Sequence, residues 1–438
     1  MVQGALTSLT TSAAVAKNID NWIFSGTGLS QPDVASLRDW QLERIRSAVS
    51  RVKSKSRFYS AHLEKIPVPE SWEDFFSLPF TCPENIAEDP YAFLCVPRTC
   101  ASRIVTLRTS GTGGRRKRVF FTDGDMLSTV DFFEHGMALF TAPGDRVAIF
   151  MPGSQPGSVG GLLAEGLCRM GAEPVIYGVP EDFSEAARFL LENDINGLVG
   201  LPWDIYGISR SPVAAKLQQE QTLRFALLSA DCVTPAMSRE LAGSLGLKVY
   251  EHYGMTETCY GGGVFCSESE GYHLREADMF FEIVDPQTGA PVPAGQTGEV
   301  AVTTFFSQAM PLIRYRTGDL ARFSPVPCPC GSIFPVLERV SCRISDVIFL
   351  NGHSPLSLPE IEDAVRTVFQ TECFHISWCE QRRELTISIA QNFISETETA
   401  QLFAELPLSE TGIALRFEPL SGFLRDKTGM LKRTLRKL

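Results

Sequence analysis

The sequence predicts an α/β protein. A large N-terminal domain has mostly parallel sheets covered by helices plus a β-rich subregion, and a small C-terminal α+β domain follows. Three observations carry this reading. Apolar strand-like runs alternate with helix-like segments from Arg146 to His252, the pattern of a parallel sheet covered on both faces. Beyond Gly261 the strands shorten and turn residues multiply. From Arg343 the order becomes β-α-β-β-α-β-like, that of a small two-layer unit. The domains are therefore drawn as 1–342 and 343–438.

In chain order, Leu37, Trp40, Ile45, Val49 and Val52 recur at helical spacing among charged residues and describe an amphipathic helix. Pro67, Pro69 and Leu78-Pro79-Phe80 mark a connector. A glycine-rich loop precedes a strand at Val119 to Thr122 and a helix from Asp125 to Phe140. Strands are expected at Arg146 to Phe150, Glu173 to Tyr177, Gly197 to Leu201, Phe225 to Ser229 and Lys248 to His252. Helices intervene at Leu162 to Met170, Ala186 to Leu191 and Met237 to Leu245. Gly298 to Thr304 and Leu312 to Arg316 read as later strands, which leaves Asp319 just past a strand end. In the last domain, Val347 to Leu350, Phe374 to Cys379, Glu384 to Ala390 and Ala414 to Phe417 are strands, with helices at Leu358 to Phe369 and Glu396 to Leu406.

At 438 residues the chain is too long for one simple core, which favours a large domain with a smaller companion. Its 44% hydrophobic and 21% charged content is ordinary for a packed protein. A formal net charge of −11 gives no footprint for general nucleic-acid or anionic-membrane binding, so a small-molecule substrate is favoured. No segment is apolar enough to span a bilayer, and the apolar stretch around Ala13 to Ala16 lacks a basic leader, so the expected location is cytoplasmic. Twelve scattered cysteines fit reduced thiols and a metal site better than a disulfide framework.

Three segments carry chemistry. In Thr109 to Arg118, TSGTGGRRKR, Gly and hydroxyl residues let backbone N–H groups approach phosphate oxygens, and Lys117 or its Arg neighbours neutralise charge. In Tyr253-Gly254-Met255-Thr256-Glu257 the ring offers a face to a base, the hydroxyl reaches a phosphoryl oxygen, and the carboxylate is a hard ligand for Mg2+. This run follows an apolar strand, and α/β sheets place ligands at the carboxyl ends of strands. In Arg314 to Asp319, RYRTGD, the final carboxylate suits both hydroxyls of a ribose. Each segment alone also reads as an ordinary turn.

Together with Arg343-Ile344-Ser345-Asp346 and Asp426-Lys427-Thr428-Gly429, these segments resemble the acyl-adenylate-forming (AMP-dependent synthetase/ligase) superfamily. Leu42-Glu43-Arg44, Phe58-Tyr59, Met310 to Asp319 and Cys328-Pro329-Cys330-Gly331 make the phenylacetate-CoA ligase-like branch the best match. The resemblance implies ATP-dependent activation of an aromatic or compact carboxylic acid to an acyl-AMP, then transfer to the thiol of coenzyme A. Other outcomes left open are transfer to a carrier-protein thiol or other nucleophile, and a non-catalytic homologue that binds nucleotide or acyl-adenylate. Many members pair into homodimers. By motif, Ser110, Gly111, Thr112 and Gly113 hold phosphates, Tyr253 and Gly254 lie against adenine, and Thr256 contacts the α-phosphate. Glu257 binds Mg2+, while Asp319 and Arg343 hold the ribose. Met151 to Gly161 and Ser229-Ala230-Asp231 are the expected walls of the acyl pocket.

The sequence departs from the family at several points. Gly113 and Arg116 replace a usual Thr and Pro, and Ser345 stands where the hinge normally has Asp, with Asp346 following. Met430 occupies the place of the adenylation lysine; Lys432, or else Lys427, could supply the ammonium from a shifted register. Cys266, His273, Cys328 and Cys330 form a Cys3His set suited to structural Zn2+, as relatives imply, with Cys259 a spare. Unrelated free-thiol turns are the alternative.

Overall fold

The computed structural model describes residues 19–29, 33–108, 116–350, 355–369, 374–389, 394–406, 408, 411–420 and 436–437. Helix α1 (Val34–Lys55) begins where the Asp33 carboxylate accepts from the Ser36 N–H and ends on the basic Lys53 and Lys55. Both devices complement the exposed groups of helix ends. Its stripe of Leu37, Ile45, Val49 and Val52 is buried, as the helical spacing predicts. A hairpin of β1 (Arg103–Arg108) and β2 (Arg116–Phe121) then leads into α2 (Asp123–Met137), whose start is fixed by a reciprocal capping box between Thr122 and Asp125.

The alternating segment builds the main sheet. Strands β3 (Arg146–Phe150), β4 (Glu173–Ile176), β5 (Gly197–Gly200), β6 (Phe225–Ser229) and β7 (Lys248–Tyr253) all run parallel, in the order β7-β6-β5-β3-β4. The connections contain α3 (Val159–Arg169), α4 (Phe183–Glu192), α5 (Pro202–Ser209) and α6 (Pro235–Leu245). One face of the sheet packs Val147, Ile149, Val199 and Leu227 into the core that holds α2 and α3. Ala148, Phe150, Leu198, Ala226 and Leu228 face the opposite core with α4, α5 and α6. This alternation explains why the strands read as continuous apolar runs. From β3 the chain goes to β4 on one side and returns to β5 on the other, which opens a crevice at their carboxyl ends.

The sheet does not stay parallel. β8 (Gly263–Cys266), β9 (Ser269–Leu274) and β13 (Val336–Glu338) extend it antiparallel beyond β7 to eight strands. A second, four-stranded antiparallel sheet follows the order β10-β11-β12-β14, made by β10 (Met279–Val284), β11 (Gly298–Thr304), β12 (Tyr315–Ala321) and β14 (Cys342–Arg343). One expectation is corrected here. Strand β12 starts at Tyr315 rather than Leu312, so Asp319 lies inside a strand instead of after one. The delay has a local cause: Arg314 has φ +47°, outside extended geometry, and its buried side chain pairs with Glu282.

Further along the chain, β15 (Val347–Ile348) pairs with β16 (Leu356–Ser357), and α7 (Leu358–Phe369) follows. Then come β17 (Phe374–Cys379), β18 (Glu384–Ile389), α8 (Glu396–Glu405), β19 (Ala414–Pro419) and β20 (Arg436–Lys437). The strand order is β19-β18-β17-β20, and Ile348, Leu358, Ile361, Trp378, Leu385 and Leu402 share a separate core. The expected first strand, Val347 to Leu350, does not join this sheet. It is shorter and forms its own two-stranded ribbon, while β20 takes the edge beside β17. Among the described residues, no helix is long and apolar enough to cross a membrane.

Candidate functional site: two cavities at the carboxyl ends of the main sheet

β7 delivers Tyr253 to the end of the main sheet, and β12 delivers Asp319 from the second sheet. The two side chains meet there: the Tyr253 hydroxyl donates to Asp319 Oδ2 at 3.0 Å. Arg343, opposite Asp319 in the β12/β14 register, places Nε 3.1 Å from Asp319 Oδ1. Asp319 is 5% exposed, and its carboxylate raises the pKa of Arg343 above the ordinary guanidinium value. Burial, then the nearby Asp319 charge, pushes the Tyr253 phenol well up, so it stays a neutral donor. A cleft opens beside these groups, lined also by Gly254, Ala230, Asp231, Trp203 and Asp346. Glycine is required at 254, because a Cβ there would run into the Tyr260 carbonyl and the His252 ring.

Thr256 and Glu257 lie on the short 3-10 turn directly after β7. Glu257 is buried and ion-paired to Lys117 of β2; the Tyr315 hydroxyl donates to the same Oε1 at 3.2 Å. Burial alone would raise the Glu257 carboxyl, but the Lys117 ammonium, its hydrogen bond and Arg343 hold it below the usual value. The result is an ionised oxygen ligand beside a cation, chemistry suited to a Mg2+-bound polyphosphate. Lys117, near the end of the glycine-rich segment in sequence, thus sits beside Glu257. Ser110, Gly111, Thr112 and Gly113 themselves lie outside the described residues, as does Lys432.

A second cavity, which shares His252 with this cleft, adjoins it. It sits at the crevice of the main sheet, walled by Met151 after β3, Val199 of β5, Leu227 and Ser229 of β6, and Phe132 and Phe133 of α2. Among the described residues, none of its lining side chains is charged. Of the acyl walls expected from sequence, Met151, Val159 and Ser229 line it. Ala230 and Asp231 do not; past the strand end the chain turns, and they line the polar cleft instead. His252 lines both spaces and was missed from sequence, because a histidine before the tyrosine carries no signal until Ser229 is placed beside it. Tyr315 was missed for a similar reason, its partner being fifty-eight positions away.

The Cys3His residues converge at the far edge of the main sheet. Cys266 ends β8, His273 lies on β9, and Cys328 and Cys330 come from the connection between β12 and β13. All four are buried, with their ligand atoms within 4.8 Å of one another. Cys266 Sγ is 3.6 Å from Cys328 Sγ, and Cys330 Sγ is 3.5 Å from His273 Nε2. The donor set and its closure fit a structural tetrahedral site. Cys259 lies elsewhere, its Sγ 3.6 Å from the Asp125 carbonyl.

Comparison with known proteins agrees with this geometry. Residues 87–306 match the family described as AMP-binding enzyme. The phenylacetate-coenzyme A ligase of Thermus thermophilus is 27% identical over 425 residues, 91% of this chain and 92% of that protein. That of Pseudomonas putida is 27% identical over 343 residues, 73% of each chain. That of Escherichia coli K12 is 34% identical over 134 residues, 30% of each. Among solved structures, a 2-hydroxyisobutyryl-CoA ligase in the postadenylation state with 2-HIB-AMP superposes with a TM-score of 0.76 at 20% identity, covering 93% of this chain and 90% of that one. At that identity the likeness speaks for the fold.

Proposed function

Because the chain belongs to the AMP-binding enzyme family, we propose that it is an AMP-forming acid–thiol ligase acting on an aromatic or compact carboxylic acid. A carboxylate oxygen attacks the α-phosphorus of ATP and pyrophosphate leaves, giving an acyl-AMP. The sulfur of coenzyme A then attacks the acyl carbon, AMP leaves, and the thiol proton passes to solvent. One observation carries the reading: an apolar cavity and a polar cleft bearing Tyr253, Asp319 and Arg343 meet at the carboxyl ends of one sheet. The apolar cavity takes the acyl group and the cleft takes AMP.

In this reading Asp319 accepts from the ribose hydroxyls, with Tyr253 and Arg343 fixing its orientation, and the Tyr253 ring lies against the base. Thr256 donates to the α-phosphate, and Ser110, Gly111, Thr112 and Gly113 enclose the remaining phosphates with Lys117. Glu257 would hold Mg2+, which supplies charge neutralisation at the polyphosphate. Catalysis is then positioning and electrostatic stabilisation rather than covalent participation. Lys432 supplies the ammonium absent at Met430, with Lys427 the other candidate. Cys266, His273, Cys328 and Cys330 hold a structural Zn2+, and residues 343–438 form a small domain that moves between the two half-reactions.

The test is pyrophosphate release over a panel of carboxylic acids, with and without coenzyme A. Acid-dependent release and a thioester product are expected. ATP binding with no release for any acid would refute the ligase reading, and release without thioester would point to another acceptor. Lys432→Ala is expected to abolish release; an unchanged rate would remove Lys432 from the mechanism.

A further inference from the structure

The two cavities share one polar ring. His252, next to last in β7, stands opposite Ser229 in the β6/β7 register, and its Nδ1 lies 2.8 Å from Ser229 Oγ. Its other nitrogen, Nε2, is buried and has no hydrogen-bond partner among the described residues. Phe132 and Phe133 flank the ring, with centroids at 6.1 and 5.8 Å. Burial lowers the imidazole pKa to about 4, so the ring is neutral in ordinary buffers. A neutral imidazole has one donor and one acceptor nitrogen, and the Ser229 hydroxyl can serve either role toward Nδ1. A buried polar nitrogen without a partner, in a wall otherwise built of hydrocarbon, is waiting for a group carried by the ligand.

We propose that His252 Nε2 receives a hydroxyl group on the acyl part of the substrate, so that the enzyme selects hydroxy acids over their deoxy counterparts. The proposal rests on the reading that the apolar cavity holds the acyl group. Three features favour a hydroxyl over other substituents. A hydroxyl donates and accepts, so it satisfies Nε2 in either tautomer. Among the described residues the cavity lining carries no charged side chain, so an ammonium or a second carboxylate would lose its hydration without a counter-charge. The ring lines the nucleotide cleft as well as the apolar cavity, so it stands where the two spaces adjoin, which in this reading is where the acyl carboxyl meets phosphate. The hydroxyl therefore belongs near the carboxyl, on the adjacent carbon or at the ortho position of an aromatic acid. Ser229 acts as a positioning residue that holds the ring.

The experiment uses the full chain and pairs of acids matched in shape and differing by one hydroxyl: mandelate with phenylacetate, salicylate with benzoate, and a branched 2-hydroxy acid with its deoxy analogue. The readout is kcat/KM for acid-dependent pyrophosphate release. The wild-type protein is expected to favour the hydroxyl member of at least one pair by a factor of about 100 or more, since a site built around a hydroxyl discriminates strongly against its loss. His252→Leu is expected to bring that ratio down to about one or below, while KM for ATP moves far less. Ser229→Ala is expected to lower the ratio partway, and it keeps the test open if His252→Leu does not fold. Equal rates within every pair, or a preference for the deoxy member throughout, would overturn the proposal. So would an equal loss for both members in His252→Leu, because the ring would then be meeting the carboxylate itself. No release with any acid would sink the ligase reading as well, whereas flat selectivity with brisk release would sink only this inference.

Discussion

Asp319 accepts from Tyr253 on one oxygen and pairs with Arg343 on the other, so its carboxylate is preorganised before any ligand arrives. Hydrogen bonds to charged groups are worth about 1.5–3 kcal/mol, so Asp319→Ala is expected to raise KM for ATP by about 10- to 100-fold in a pyrophosphate-release assay. His252 makes a separate prediction about stability. Its pKa falls from 6.5 to about 4 in the folded chain because burial disfavours the charged ring. Between these values the unfolded chain binds the extra proton, so stability rises with pH through that window and is lost as pH falls from 6.5 toward 4. The full difference is on the order of 3 kcal/mol at about 1.4 kcal/mol per pKa unit. Urea unfolding across pH should show a shallower acid limb for His252→Leu than for wild type. Tyr253, Asp319 and Arg343, which meet in the cleft, were legible in the sequence because each sits in a local run of distinctive residues. The ion pair of Lys117 with Glu257 and the contact of His252 with Ser229 join residues far apart in the chain, and only the sheet register brings them together.

Among the elements, β12 shows how one run of residues serves two purposes. RYRTGD ends in Asp319, which lines the polar cleft, yet its first arginine is structural. Arg314 is 2% exposed, with Nη2 2.8 Å from Glu282 Oε1; it also donates to the Leu78 carbonyl at 2.7 Å and stacks over Phe80 at 4.1 Å. The same residues explain Leu78-Pro79-Phe80, which looked like a plain connector in the sequence. Removing one partner of a buried, hydrogen-bonded ion pair leaves an uncompensated charge and costs about 3–5 kcal/mol. Arg314→Ala is therefore expected to lose about that much stability to urea, while any folded fraction keeps KM for ATP within a few-fold of wild type. A loss comparable to Asp319→Ala in KM would instead place Arg314 at the nucleotide. Most elements were legible because their apolar periods are long: the α7 and β17 bounds match the sequence reading. The start of β12 was not, because Arg314 is paired with Glu282 on β10, a strand separated from β12 by β11.

Across the whole molecule, the connection from β12 to β13 carries the chain from the four-stranded sheet to the eight-stranded one, and Cys328 and Cys330 lie on that crossing. A zinc ion held there with Cys266 and His273 would fasten the crossing to the far edge of the main sheet. Elemental analysis is expected to find about one zinc per chain, as a closed four-ligand site holds one ion. Cys328→Ser or prolonged chelation should remove it and lower the melting temperature by several degrees or more. Metal-free protein with unchanged melting would refute the site. The Cys3His set was legible as residue types, but its closure depended on β9 pairing with both β8 and β13, which no local pattern encodes. The edge pairing of Arg343 with Asp319 has a further consequence. In the proposed reading, a swing of residues 343–438 would pivot at this stitched pair, leaving the sugar's handhold in place. The activated intermediate would then stay tethered while its surroundings are exchanged, and little of it should escape to water between one chemical step and the next.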